Sequence, residues 1–163
     1  MGVDPGLVAT GFAILEAAPG AVTVLDAGVI TTVATQSLEA RLNAIHRAVL
    51  EIIEARRPTF VVVEDLYAEY KFPRTAILMG HARGVIYLAA RQLGVAVTAL
   101  APSEVKRAVT GSGAAGKAQV QRSVQTLLGL ADLPRPSHVA DALGLAITGL
   151  ARVTGITPTR AAR

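Results

Sequence analysis

Three carboxylates and one imidazole stand out by type and spacing: Asp4, Glu64, His138 and Asp141. Asp4 follows Met1-Gly2-Val3 and precedes Pro5-Gly6, a turn that would leave the carboxylate at the edge of a sheet, facing solvent. Glu64 closes Phe60-Val61-Val62-Val63, a β-branched run expected of a strand buried on both faces, where a charge is costly unless paired or metal-bound. His138 and Asp141 lie three residues apart at the start of the last helical pattern, hence on one helix face, with Ser137 after Pro136 as the expected N-cap. Brought together, the carboxylates repel one another. Two divalent cations would turn that repulsion into a site able to activate water and stabilise the leaving oxygen of a phosphodiester. The set does not resemble an acyl-transfer triad.

Taken singly, each residue also has an ordinary reading. Asp-Pro-Gly is a common turn in which Asp bonds its own backbone. Glu64 and Asp65 are equally the first loop residues after a strand, with Asp65 expected to be the solvated one. Asp141 suits the positive end of a helix, and His138 suits a surface.

The elements that would position these groups read clearly. Strands are expected at Met1 to Asp4, Gly11 to Glu16 and Ala21 to Thr32, with turns at Gly6 and Pro19-Gly20. Leu38, Leu42, Ile45, Val49, Ile52 and Ile53 recur at helical spacing between the candidate cap Ser37 and Pro58. After the strand ending at Glu64 come a helix from about Thr75 to Leu93, a strand from Val95 to Leu100, and helices near 103–109, 117–129 and 137–152. This order describes an α/β sandwich with a mixed sheet. Residues 1–155 form one expected domain, with a frayed tail over 156–163.

Composition narrows the chemistry. The 163 residues contain no Cys, which excludes thiol catalysis and Cys-ligated zinc, so a metal must be held by Asp, Glu and His. The chain is 52% hydrophobic, yet charges interrupt every apolar stretch before the ~20 residues a bilayer requires. With a start that does not look like a secretory signal, this points to the cytoplasm. Residues 1–70 hold nine acids against four bases, whereas residues 71–163 hold twelve bases against three acids. Such asymmetry suggests a basic face for phosphates, although a solvated surface has the same composition.

Gly111-Ser-Gly-Ala-Ala-Gly116-Lys117 imitates a nucleotide-binding loop, but Ala118 stands where Ser or Thr must bind magnesium, and a helical pattern precedes it instead of a strand. It is expected to be a mobile loop, since three glycines and small side chains bury little.

Gly2-Val3-Asp4-Pro5-Gly6 with Gly11, Val63-Glu64, Gly80-His-Ala-Arg83-Gly84-Val85 and Ala140-Asp141-Ala142-Leu143 together resemble the RuvC family nearly end to end. The resemblance implies an RNase H-like fold with a mixed five-stranded sheet flanked by helices. It implies a crossover-junction endodeoxyribonuclease that resolves Holliday junctions by paired, metal-dependent hydrolysis, using Mg2+ or Mn2+, two per site. The family's four acidic positions fall on Asp4, Glu64, His138 and Asp141, with His138 where the third is usually Asp. Tyr67 falls at its DNA-stacking aromatic, Lys106 and Lys117 at its basic positions near the scissile phosphate, and Lys71, Arg74 and Arg83 are further candidate DNA contacts. A homodimer, four-way junction DNA and a RuvAB-type branch-migration motor are the implied partners. Family members usually have a few more apolar residues before the Gly-Val-Asp.

An imidazole ligand must be deprotonated and suits manganese better than magnesium. His138 is therefore expected to set an acid limit in the lower pH sixes, which an Asp in its place would relieve. Other readings are an RNase H-like RNA-processing nuclease of the YqgF group, a junction-binding protein that has lost catalysis, and an actin-like phosphotransferase, which would need a second phosphate loop and a longer chain.

Overall fold

The computed structural model describes residues 1–18, 21–66 and 73–158. Five strands form one sheet in the order β3-β2-β1-β4-β5. They are β1 (Gly2–Asp4), β2 (Ala9–Ala18), β3 (Ala21–Thr31), β4 (Phe60–Glu64) and β5 (Ala96–Leu100). The helices are α1 (Leu38–Arg56), α2 (Pro73–Gln92), α3 (Pro102–Thr110), α4 (Lys117–Leu128) and α5 (Ser137–Thr154). β1, β2 and β3 pair antiparallel, while β4 lies parallel to both β1 and β5, so the sheet is mixed as expected.

Alternation along the strands divides the core between the two faces of the sheet. Val3, Ile14, Val61 and Val63 pack with Ile45, Val49 and Ile53 of α1 and Ala82, Ile86 and Ala89 of α2. On the opposite face Ala13 packs with Val139, Ala142, Leu143 and Ile147 of α5, and Val62 packs with Leu145 and with Val105 of α3. Residues 142–150 of α5 are all buried, which explains a helix apolar on every side. Only its ends reach solvent, and His138 and Asp141 are at the N-terminal one.

Three expectations change. Ser137 is the first helical residue, not the cap. Pro136 takes the cap position with extended ψ, and its carbonyl accepts from Val139 N–H. Segment 111–116 is not a loose loop: Gly111 caps α3 in the left-handed region, and Ala115 is buried against α4 and α5. A single methyl suffices to seat this turn, because it drops between two helices. The β2–β3 hairpin is also longer than alternation indicates, with an irregularity at Ile14/Leu15 that shifts the register of side chains.

Candidate active site

Asp4 and Glu64 end neighbouring strands. Val3 pairs with Val63 in the parallel ladder, so the next residues, Asp4 and Glu64, lie side by side. Both belong to the face that α5 covers, because the intervening Val3 and Val63 point into the α1–α2 core.

What brings α5 onto them is the absence of side chains. A Cβ on Gly11 would lie 2.1 Å from the His138 carbonyl oxygen, and one on Gly2 would lie 2.2 Å from that of Ala142. Glycine at these strand positions lets the helix backbone lie directly on β1 and β2, which sets His138 and Asp141 over Asp4. Sequence reading placed Gly2 and Gly11 in a motif without seeing this role.

His138 Nδ1 is 2.7 Å from Asp4 Oδ2, and Asp4 is buried instead of facing solvent, because the start of α5 lies over it. That hydrogen bond, ahead of the opposing effect of burial, raises the imidazole pKa. Burial first, then the charges of Asp4 and Asp141, pushes Glu64 up to about 7. Burial and the Asp4 charge push Asp141 up to about 6. Lys106 and Lys117 act on both carboxyls in the opposite direction, so two ammonium groups border the same cluster. Lys106 is half-buried on α3, and Lys117 is exposed at the first turn of α4.

Among the described residues no three such donors are set at metal-ligating geometry, with Asp4 turned to its imidazole partner. The chemistry of the set nevertheless fits a hard divalent cation: carboxyls whose pKa values are raised by burial and by the charge of Asp4 are stabilised as anions by sharing a positive charge.

Of the other candidates, Arg74 is exposed at the start of α2, whereas Tyr67 and Lys71 lie outside the described residues. Arg83 is engaged within the protein. One Nη donates to Asp65 at 2.9 Å and to Tyr87 Oη at 2.8 Å, and the guanidinium sits 4.8 Å from the Tyr87 ring centroid. Asp65 is the solvated residue after the strand, as expected, with its side chain 43% exposed, and it also pairs with Arg83 because α2 runs close enough to the end of β4 for Arg83 to reach it. The turn before Lys117 follows helix α3, not a strand, so it lacks the frame of a nucleotide-binding loop. No described helix is long and apolar enough to cross a membrane.

Comparison with known proteins agrees with this architecture. The family described as crossover junction endodeoxyribonuclease RuvC matches residues 1–149. A protein of that name from Rhodopirellula baltica is 41% identical, the match covering 91% of this chain and 84% of the relative. Another from Pelotomaculum thermopropionicum is 44% identical over 90% of this chain and 89% of its own. Among solved structures, T. thermophilus RuvC in complex with Holliday junction substrate superimposes with a TM-score of 0.84 at 36% identity, covering 90% of this chain and 89% of that one. The yeast mitochondrial Holliday junction resolvase Ydc2, at 11% identity and a TM-score of 0.62 over 93% of this chain and 76% of its own, shares the fold.

Proposed function

The chain belongs to the RuvC family of crossover junction endodeoxyribonucleases, and from that premise we infer how its own residues carry the reaction. The protein is a nuclease of the RNase H-like fold that resolves Holliday junctions. The observation that carries the assignment of its site is the convergence of Asp4, Glu64, His138 and Asp141 at one end of the sheet, bordered by two lysines.

In our reading Asp4, Glu64, His138 and Asp141 hold Mg2+ or Mn2+, two per site. The bound ions would supply an activated water and charge for the leaving oxygen. Asp4 orients the His138 ring through Nδ1, leaving Nε2 for an outward contact. Lys106 and Lys117 offset the carboxylate charge that would otherwise repel the DNA backbone, and serve as phosphate contacts. Arg74 and, outside the described residues, Tyr67 and Lys71 extend that DNA surface.

A homodimer would set two such sites on opposite strands. Ile77 and Leu88 are 61% and 51% exposed on α2 and share one stripe with His81 and Gly84, an apolar face suited to the same helix of a second copy. Partnership with a RuvAB-type motor in the cytoplasm follows from the same reading.

A synthetic four-way junction incubated with Mg2+ or Mn2+ should yield paired, ligatable nicks. Lys106→Ala and Lys117→Ala should each reduce the slope of log affinity against log salt by about 1. Unpaired nicks would argue against the dimer, and unchanged slopes would return both lysines to ordinary surface.

The pH dependence follows from the raised carboxyls. Glu64 near 7 and Asp141 near 6 must both lose protons to bind a cation. Nicking at limiting metal should therefore fall as pH drops from 7 to 6, and more metal should move the midpoint to lower pH, since cation and proton compete for the same oxygens. This revises the expectation that only an imidazole would titrate there. His138→Asp should gain activity with magnesium relative to manganese but should not extend activity into acid, because a further carboxylate adds repulsion. A pH profile of that variant reaching well below wild type would contradict the assignment.

A further inference from the structure

We infer that Arg83 is a positioning residue that fixes the end of β4, and with it Glu64, by holding Asp65 from helix α2. Glu64 is the last residue of β4, so its direction depends on how the chain leaves the strand. Asp65 is tied at two points. Its N–H donates to the Leu100 carbonyl at the end of β5, 2.8 Å away, and its Oδ1 accepts both Leu66 N–H and Arg83 Nη2, each at 2.9 Å.

Arg83 is itself held. Tyr87, one turn further along α2, presents its hydroxyl 2.8 Å from the same Nη2 and its ring beneath the guanidinium. A planar group clamped between a ring and a carboxylate has few alternative positions, which is what a positioning contact requires. The need is local. Glu64 stands beside Asp4 at the ends of two paired strands, so a small change in how the chain leaves β4 moves its carboxyl relative to Asp4.

The arrangement also accounts for a residue that sequence reading offered as a DNA contact: its cationic head is spent inside the protein, 23% exposed at the side chain. The inference rests on the assignment of Glu64 to catalysis. If that assignment fails, Glu64→Gln will retain cleavage. If only the present inference fails, Glu64→Gln will be inactive while the Arg83 variants cleave normally.

The test compares Arg83→Gln, Asp65→Asn, the double variant and Arg83→Lys. It measures single-turnover junction cleavage, junction affinity in EDTA with its salt dependence, and thermal unfolding. A partner that orients a metal-binding group typically matters about tenfold or more, so each single variant should cleave about tenfold more slowly and the double variant no more slowly than either. Affinity and its salt slope should stay at wild-type values, and the unfolding temperature should change by only a few degrees, because a partly exposed ion pair adds little stability. Arg83→Lys, which keeps the charge but not the planar stack, should fall between. A salt slope reduced by about 1 in Arg83→Gln would make Arg83 a phosphate contact instead. Multiplicative losses in the double variant, or wild-type cleavage in all of them, would overturn the inference. Should Arg83→Gln fail to fold, Asp65→Asn and Arg83→Lys still decide the matter.

Discussion

Glu64→Gln is expected to lose junction cleavage by on the order of 10³-fold while making the metal-free protein more stable. The loss follows from removing one of the anionic groups that hold the cations, whose charge stabilisation is worth several kcal/mol at about 1.4 kcal/mol per tenfold in rate. The gain follows from linkage. Burial and neighbouring carboxylates raise Glu64 from its ordinary value of 4.5 to about 7, so the folded protein prefers the neutral acid. The stability that this preference contributes is complete below pH 4.5 and is lost as pH rises through 7. Gln stays neutral throughout, so the variant's advantage should open over that interval and reach about 2 kcal/mol at pH 8, or several degrees in unfolding temperature. Denaturant unfolding in EDTA at pH 5 and pH 8, beside cleavage of a four-way junction, checks both halves. Near wild-type cleavage by the variant would remove Glu64 from the site, and equal stability at both pH values would mean that its carboxyl is not strained.

Gly11→Ala is expected to be nearly as damaging from a position without chemistry. The added methyl would meet the His138 carbonyl oxygen at 2.1 Å and its carbon at 2.6 Å. Both are backbone atoms of the first turn of α5, so no side-chain rotation relieves the clash. The helix must move by about 1 Å, at a cost of about 3 kcal/mol for overpacking a dense interior. That movement carries His138 and Asp141 away from Asp4, and a displacement of that size at a reacting centre costs about 10²-fold in rate. Gly116→Ala, where nothing lies within 4 Å of the new methyl, serves as the control. If Gly11→Ala unfolds at the wild-type temperature and cleaves normally, α5 has room that the structure does not indicate.

Much of the fold was legible because the signals are local. The helical recurrence from Leu38 to Ile53 and the β-branched run Val61-Val62-Val63 placed α1 and β4 close to their observed bounds, since side-chain period reports directly which face must be buried. The hairpin was underestimated. β2 continues to Ala18 on hydrogen bonds from β3, and such pairing needs no particular side chain. Segment 111–116 is better packed than its composition implies, because glycine content says nothing of what packs on Ala115.

The candidate site divides along the same line. Residue types and spacing already singled out Asp4, Glu64, His138 and Asp141, because a charge at the end of a buried strand is costly without a partner and a three-residue step puts His138 and Asp141 on one helix face. That Asp4 and Glu64 are neighbours required the parallel pairing of β1 with β4. That Glu64 and Asp141 titrate near neutrality, and that Arg83 is bound to Asp65 and Tyr87, required distances between residues far apart in the chain. The sequence by itself determined the chemical inventory and the elements that carry it, since both are written in residue type and period. Only the tertiary structure decided how closely the charges crowd and what holds them, because Coulomb energy and steric exclusion depend on separation in space, which the packing of α2 and α5 on the sheet sets.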